Sequence, residues 1–422
     1  DATDEDIRKE AVEFWRAVLY FPSFSDQARP LMDRILPIIL QCMVYSDMEL
    51  GMLSAKAEDW DEEDKEDDIK PRKYEGRSHA VADDEEDDGD DEVEQHNLRR
   101  VAAVALDDIA EHYGDEILDS ALGVVNQMMD PSNDWKVLEA GILAIGAVAD
   151  GCYVGMAGYL DVIVERLIEI LNNNDAHFLV KVIALWAVSR YPTYLMDPGN
   201  GQVLSNYLEA VLGHMENPSK MVQEAATSAL QSLADDSADG ELNNFVTPVM
   251  AKVNACFQLP YQLKNRYLLF ECVQSLCHNF GRLLSEDENL NLLMGPMMVY
   301  WEQTQNDSPM IFPFFECMSF VCEALGPFIQ DYAQDIFNRS YQMICFHIDA
   351  RAAADRNNSE PPEVEFLIVA LDLMSSCLEA LGSTLEPLVS ENEPAFMEYL
   401  LQACNDEDPL IRKSAFAFVG DM

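Results

Sequence analysis

The chain has 422 residues, of which 49% are apolar, and a formal net charge of −50 from 77 acids and 27 bases. This charge excludes direct binding to nucleic acid, which requires a basic surface, and it argues against binding to anionic membranes. It favours basic protein partners, because a surface of one sign attracts opposite charge.

The cysteine pattern points to a reducing compartment. The ten Cys are scattered through apolar helical segments, and no Cys-x-x-Cys spacing occurs. Such residues act as small buried hydrophobes rather than as a disulfide framework. No signal-peptide pattern and no uninterrupted apolar run of membrane-spanning length is present. We therefore expect a soluble intracellular protein.

The N-terminal part reads as helices followed by an acidic insertion. Residues 7–21 and 30–48 carry apolar residues three to four apart, so we assign residues 1–50 to helical repeats. The insertion covers 51–96, and between Glu58 and Glu94 it holds 20 acids and five bases. With few apolar residues, it cannot offset the loss of chain entropy on folding. We predict a long disordered acidic loop.

A repeated helical segment follows the insertion. Equivalent positions are Arg100, Glu139, Val182 and Glu224, which lie 39, 43 and 42 residues apart. This period is typical of HEAT and armadillo helix pairs. One pair cannot bury its apolar face alone, so successive pairs stack. The similar segments are 98–106, 137–145, 180–188 and 222–230, with a fifth at 411–419.

These patterns predict the fold class and its subdivision. We expect an all-α, right-handed α-solenoid of HEAT repeats built from antiparallel helix pairs. The repeats occupy 97–349 and 364–422, with a short insertion at 350–363. Residues 414–422 lack the polar cap that closes a solenoid, so we interpret the chain as part of a longer one.

The sequence carries no catalytic signature. It has no glycine-rich nucleotide motif and no His-Glu-x-x-His, and its seven His are isolated from one another. We predict a binding protein that is not an enzyme and needs no cofactor or metal. Two functions that fit these features are a HEAT-repeat scaffold and an acidic chaperone for basic proteins such as histones and ribosomal proteins.

One helix face combines apolar, aromatic and basic residues. Ile183, Trp186 and Arg190 have the spacing i, i+3, i+7 and share one side of a helix. Ile145 lies near the same level one repeat earlier, and Asp107 one repeat before that. Trp186 is either a core residue or a partly exposed anchor, since Trp and Arg are typical of interface hot spots.

Acids recur on the later second helices of the repeats. Asp372 and Glu379 are seven residues apart and share a face. These acids form either an ordinary solvated surface or an acidic stripe that binds a basic partner. The set comprises Asp235, Glu271, Glu316, Asp372 and Glu379.

Five stretches resemble the transportins, import receptors of the importin-β superfamily. They are Asn97-Leu-Arg-Arg with Ala105-Leu-Asp107, the run from Glu139 to Cys152, Trp186-Ala-Val-Ser-Arg-Tyr191, Val222-Gln-Glu-Ala-Ala226 and the run from Phe366 to Leu373. The resemblance spans essentially the whole chain. The acidic insertion lies directly before Asn97, where the family carries a long acidic loop, whereas scaffold solenoids have regular short loops.

The resemblance implies a nuclear import receptor that shuttles between cytoplasm and nucleus. Cargo would carry an extended basic signal ending in a Pro-Tyr-like sequence, and Ran-GTP would release it through the acidic loop. Nucleoporins would be further partners. Asp107, Ile145, Ile183, Trp186 and Arg190 would bind the Pro-Tyr end, and Asp235, Glu271, Glu316, Asp372 and Glu379 the basic part. His278 stands where the family has an acid, which implies a weaker negative potential there.

Overall fold

The computed structural model describes residues 2–51, 53, 97–238, 240–259, 261, 263–357, 361–392 and 395–422. Within these ranges every regular element is a helix, and no strand occurs. Most of the expected acidic loop, 54–96, lies outside the described residues, so its disorder stays a prediction. The described chain forms two compact units, with the boundary between Asp236 and Ser237.

Unit 1 contains twelve of the described helices. They are α1 (Ala2–Leu19), α2 (Pro22–Ala28), α3 (Met32–Cys42), α4 (Leu98–Tyr113), α5 (Leu118–Met128), α6 (Trp135–Ala147), α7 (Tyr153–Met156), α8 (Leu160–Asn172), α9 (Phe178–Ser189), α10 (Pro192–Leu195), α11 (Gly201–His214) and α12 (Lys220–Asp236).

The long helices of unit 1 pack as successive pairs. The pairs are α3 with α4, α5 with α6, α8 with α9, and α11 with α12. The second helix of each pair lies in one row that begins with α1, and the order along the row is α1, α4, α6, α9 and α12. Their apolar sides are buried in the stack; Ile109, Ala144 and Val188 are each 0% exposed. This stacking buries the face that a single pair would leave in water.

The acidic insertion lies inside one helix pair. Helix α3 ends before it, α4 begins after it, and the two helices pack against each other. Residues 1–50 therefore supply the first helix of a repeat whose second helix follows the insertion. The insertion interrupts a repeat rather than separating two of them.

Unit 2 follows the same plan. Its helices are α13 (Val246–Phe257), α14 (Leu263–Phe280), α15 (Asp287–Gln303), α16 (Ile311–Leu325), α17 (Ala333–Asn357), α18 (Glu365–Leu381), α19 (Glu386–Asn392), α20 (Ala395–Cys404) and α21 (Pro409–Asp421). The second helices α14, α16, α18 and α21 stack in a row, and α17 pairs with α18. An aromatic cluster of Phe270, Tyr300 and Phe314 joins α14, α15 and α16.

The expected insertion at 350–363 is shorter in the structure. Residues 350–357 form the last two turns of α17, because the alanine-rich run Ala352-Ala353-Ala354 favours helix. Pro361 and Pro362 then exclude helix before α18 begins. The second helices α16 and α18 end at Gly326 and Gly382, whose φ angles of 54° and 53° are in the left-handed region. A glycine there stops a helix without strain.

Two stretches of unit 2 are apolar and long enough to cross a membrane. They are Ile311–Ala354 and Glu365–Ser390. Their most apolar 18-residue windows are 50% and 61% buried inside the protein. The first stretch also includes the connection between α16 and α17. Both are accounted for as core helices of the stack.

Candidate functional site

Local sequence sets the register of the three helices that carry the site in unit 1. The Asn97 side chain accepts the Arg100 backbone N–H at 2.7 Å, which begins α4. Asp134 accepts the Lys136 N–H at 3.0 Å and begins α6. His177 does the same for α9 through Nδ1. These caps satisfy otherwise unpaired N–H groups and define where each helix starts.

An ion pair links α9 to the turn after α6. Arg190 Nη2 donates to Asp150 Oδ2 at 2.6 Å, and the Arg190 side chain is 17% exposed. Asp107, on α4, lies close enough for the Arg190 charge to act on it. One guanidinium is therefore shared between two carboxylates from different repeats.

The carboxyl group of Asp107 has an unusual environment. Partial burial raises its pKa to about 6; Arg190 opposes the shift, and the neighbouring Glu111 and Asp150 reinforce it. Its Oδ1 atom is buried and has no hydrogen-bond partner among the described residues. Desolvation disfavours the charged form, and Arg190 compensates only in part because it is paired with Asp150.

Trp186 is neither a full core residue nor a freely exposed one. Its side chain is half-buried, and its ring lies against the backbone of α6 at Gly146. The indole Nε1 is buried, and no described residue accepts its N–H. Trp186 thus combines the close packing expected of a core residue with the partial exposure expected of an anchor for a ligand.

Two of the residues expected at the site are buried. Ile145 is 1% exposed and Ile183 is 7% exposed. The Ile145 carbonyl accepts a hydrogen bond from the hydroxyl of Tyr191 at 2.6 Å, a buried contact between α6 and the turn after α9. Both isoleucines pack within the helix row. Their proposed contact with a ligand stays a prediction.

Three polar atoms of this region have no hydrogen-bond partner in the described chain. They are Asp107 Oδ1, Trp186 Nε1 and Arg190 Nε. Leaving a buried donor or acceptor unpaired costs about 1–3 kcal/mol, and such groups call for an explanation. They are one acceptor and two donors; Trp186 and Arg190 are one helical turn apart in sequence, and the Arg190 charge acts on Asp107. That set suits a ligand that presents both an apolar ring and hydrogen-bonding groups.

Asp235 and the acids of unit 2 occupy second helices. Asp235, near the end of α12 in unit 1, is exposed. In unit 2, Glu271 on α14 is half-buried, whereas Glu316, Asp372 and Glu379 are exposed on α16 and α18. His278 is exposed on α14. The unit 2 acids therefore lie on adjacent helices of one row.

The carboxylates of unit 2 influence one another. Desolvation raises the pKa of Glu316, and the Asp372 charge adds to the shift. Desolvation also raises the pKa of Asp372, whereas a hydrogen bond from the Ser414 hydroxyl and the charge of Lys413 lower it. For Glu379, desolvation and then Asp421 and Glu323 raise the pKa. A positive charge brought to this surface would relieve these repulsions.

Several residues that the packing brings into these regions were not predicted from the sequence. Asp150 and Gly146 contact Arg190 and Trp186, and both lie within the run from Glu139 to Cys152. Glu323 and Asp421 lie close enough to Glu379 for their charges to raise its pKa. Glu323 is seven residues after Glu316, the same spacing as Asp372 and Glu379, so periodicity alone could have found it.

Comparison with known proteins identifies the family. A family model described as a HEAT-like repeat matches residues 135–191. Importin subunit beta-2 of Schizosaccharomyces pombe is 32% identical over 450 residues, covering 100% of this chain and 49% of the relative. Transportin-1 of Homo sapiens is 32% identical over 436 residues, covering 99% of this chain and 47% of the relative. The chain belongs to the transportin (importin β-2) family. It spans about half the length of these relatives.

Solved structures confirm the fold of this transportin-family chain. It matches a chain of the complex in which Kap95p binds RanGDP with a TM-score of 0.70 and 16% identity, covering 98% of this chain and 44% of that one. It matches Kap121p bound to Pho4p with a TM-score of 0.66 and 16% identity, covering 94% and 34%. At this identity the likeness concerns the fold alone. The predicted HEAT-repeat solenoid is confirmed.

Proposed function

We propose that this transportin-family chain binds nuclear import signals, which are extended basic peptides ending in a Pro-Tyr-like sequence. The observation that carries the proposal is the set of three buried polar atoms, on Asp107, the half-buried Trp186 and Arg190, that have no hydrogen-bond partner among the described residues. The receptor to which the chain contributes would bind cargo and perform no catalysis. Membership of the transportin family supports this assignment.

In unit 1 the Pro-Tyr end would bind beside Trp186. A prolyl ring packs well against an indole face, and an aromatic ring can stack on the Arg190 guanidinium. A tyrosine hydroxyl can donate to Asp107, whose Oδ1 atom has no donor among the described residues. Asp150 would keep Arg190 in place. Ile145 and Ile183 would support the site through their packing or become accessible when a ligand binds.

In unit 2 the basic part of the signal would bind the acids of the second helices. Glu271, Glu316, Asp372 and Glu379 carry this role, and Asp235 of unit 1 adds to it. Desolvation raises the pKa of Glu316, Asp372 and Glu379, and repulsion by neighbouring acids adds to the shift at Glu316 and Glu379. Lys or Arg side chains would offset that repulsion, which gives the surface a preference for basic segments.

We further propose that Ran-GTP and nucleoporins bind the full receptor. Solved structures of Kap121p include complexes with RanGTP and with Nup53p. Cargo and Ran-GTP would oppose each other, with the acidic segment 51–96 coupling them, and the receptor would shuttle between cytoplasm and nucleus. Coupling of this kind requires that the two ligands favour different states of one element.

Titration with a signal peptide tests the proposal. A basic peptide ending in Arg-x-Pro-Tyr is compared with its Ala-Ala version by calorimetry at fixed ionic strength. We expect at least tenfold weaker binding of the Ala-Ala peptide. Equal affinity for both peptides would contradict the proposal and favour a chaperone that reads charge alone. Arg190→Ala should remove the preference for Pro-Tyr.

Arg166→Ala is the matched control for Arg190→Ala. Arg166 is a surface arginine of unit 1 that pairs with Glu169 one turn away on α8. Its loss changes the net charge by the same amount as the loss of Arg190. We expect this variant to keep the Pro-Tyr preference, so a loss in both variants would indicate a general charge effect.

A further inference from the structure

Gly146 lies directly beneath the Trp186 ring. It is the penultimate residue of α6. A Cβ atom built on Gly146 would lie 2.1, 2.6 and 2.8 Å from three carbons of the six-membered ring of Trp186. Contacts this short do not occur between a real Cβ and another atom. The indole therefore occupies the space that any side chain at this position would need.

The clash cannot be relieved by a small side-chain adjustment. An indole is rigid and has only two rotatable bonds, so the whole ring would have to move away from α6. Glycine in a helix is otherwise less favourable than alanine, because it loses more conformational freedom. The close approach of Trp186 is the physical reason for glycine at position 146.

The next glycine along the chain makes a second close approach. A Cβ on Gly151 would lie 2.1 Å from the carbonyl carbon of Ala110, on the last turns of α4. Asp150, which pairs with Arg190, is the neighbouring residue. The stretch 146–151 is thus in tight contact with α9 on one side and with α4 on the other. These contacts set the spacing among the helices that carry Asp107, Trp186 and Arg190.

We propose that Gly146 is a positioning residue that sets the depth of the Trp186 indole, so that the site accepts a ligand containing a prolyl or aromatic ring. The proposal rests on the function assigned above. With alanine at position 146 the indole moves off α6 into the space that the ligand ring would occupy. Binding through the acids of unit 2 is unaffected, because no residue there changes.

Three variants and two measurements test this role. The variants are Gly146→Ala, Gly213→Ala and the double variant Gly146→Ala with Trp186→Leu. Gly213 is the matched control, because it is also the penultimate residue of a unit 1 helix, and a Cβ there meets no atom of the described residues within 4 Å. Affinity is measured for the Pro-Tyr and Ala-Ala peptides. Hydrogen exchange of the Trp186 indole N–H is followed by NMR, with its signal assigned through Trp186→Leu.

We expect Gly146→Ala to bind the Pro-Tyr peptide at least tenfold more weakly and to leave Ala-Ala binding unchanged. Its indole N–H, buried in the native chain, should exchange faster. Gly213→Ala should match the native chain in both measurements. If Gly146→Ala unfolds, the double variant should fold again, because leucine removes the ring.

Two results would overturn the proposal. One is native-like exchange of the indole N–H in Gly146→Ala, which would show that the ring had not moved. The other is a double variant that is as unfolded as Gly146→Ala. Because leucine removes the ring, that result would show that the alanine side chain clashes with a group other than Trp186. If the native chain itself shows no preference for Pro-Tyr, the assigned function fails. The exchange measurement still decides whether Gly146 positions Trp186.

Discussion

Arg190 and Asp150 form an ion pair at 2.6 Å that joins α9 to the turn following α6. Asp150 is 58% exposed and Arg190 is 17% exposed, so the pair lies at the edge of the stack with the guanidinium turned inward. Because Arg190 also acts on Asp107, Asp150 and Asp107 compete for one positive charge. Asp150 thereby controls how much of that charge stabilises the Asp107 carboxylate.

Asp150→Asn should lower the pKa of Asp107 below its present value of about 6. The substitution removes a repelling charge and frees Arg190 to pair with Asp107, and both changes favour the ionised carboxyl. NMR titration of the Asp107 carboxyl carbon measures the shift. Glu169→Gln is the control, because Glu169 pairs with Arg166. An unchanged Asp107 pKa in Asp150→Asn would show that the two groups are not coupled.

Trp186→Ala should weaken binding of the Pro-Tyr peptide by about 2 kcal/mol, a loss typical of an interface hot spot. The half-buried ring supports a ligand more than it supports the core, so the stability loss should stay below the 3–5 kcal/mol typical of a buried Trp. Calorimetric titration and thermal unfolding give the two quantities. Unchanged binding of the Pro-Tyr peptide would contradict the role of Trp186 as an anchor, and loss of the fold would make Trp186 a core residue.

Asp107→Asn should change how stability depends on pH. The folded pKa of about 6 lies above the ordinary value of 3.8 for an aspartate. The stability contributed by this group is therefore fully present below pH 3.8 and is lost as pH rises through about 6. Relative to the native chain, Asp107→Asn should gain about 1–2 kcal/mol between about pH 4 and about pH 7, after allowance for solvent screening.

Urea unfolding of the native chain and Asp107→Asn at several pH values tests this prediction. Glu209→Gln, an exposed carboxylate on α11, is the control and should show a nearly constant difference from the native chain. A constant difference for Asp107→Asn as well would mean that Asp107 titrates near its ordinary value.

Asp372→Lys combined with Glu379→Lys should slow association with a basic peptide, and more so at low salt. Exposed charges mainly change the rate at which the peptide associates with the surface, and their fields are screened over about 8 Å at physiological salt. Stopped-flow association rates at two ionic strengths measure the effect. Glu302→Lys with Glu398→Lys makes the same charge change on the first helices α15 and α20. Equal slowing by both pairs would assign the effect to net charge alone.

Replacing residues 54–96 by a flexible Gly-Ser linker should leave the helices folded and peptide affinity unchanged. Helices α3 and α4 pack against each other on either side of the insertion, and the insertion has few apolar residues. In the full receptor, the same change should reduce peptide release by Ran-GTP. Retention of bound peptide after addition of Ran-GTP measures this. Equal release from both receptors would remove the insertion from the coupling.

The sequence alone was sufficient for the fold class, and it named the candidate site residues, whose role in binding stays a prediction. The spacing of Arg100, Glu139, Val182 and Glu224 predicts stacked helix pairs, because each pair must bury one apolar face on the next. The spacing of Trp186 and Arg190 places both on one helix face. Such periodicities are local properties, and they remain valid whatever the distances between helices.

The tertiary structure decided how closely the helices approach and which charges share a partner. Only packing shows that the Trp186 ring lies on Gly146, that Arg190 pairs with Asp150, and that Ile145 is buried. Helix periodicity gives the direction of a side chain but not the distance to the neighbouring repeat. That distance depends on glycines and ion pairs some 40 residues apart in sequence, whose meeting no local pattern reveals.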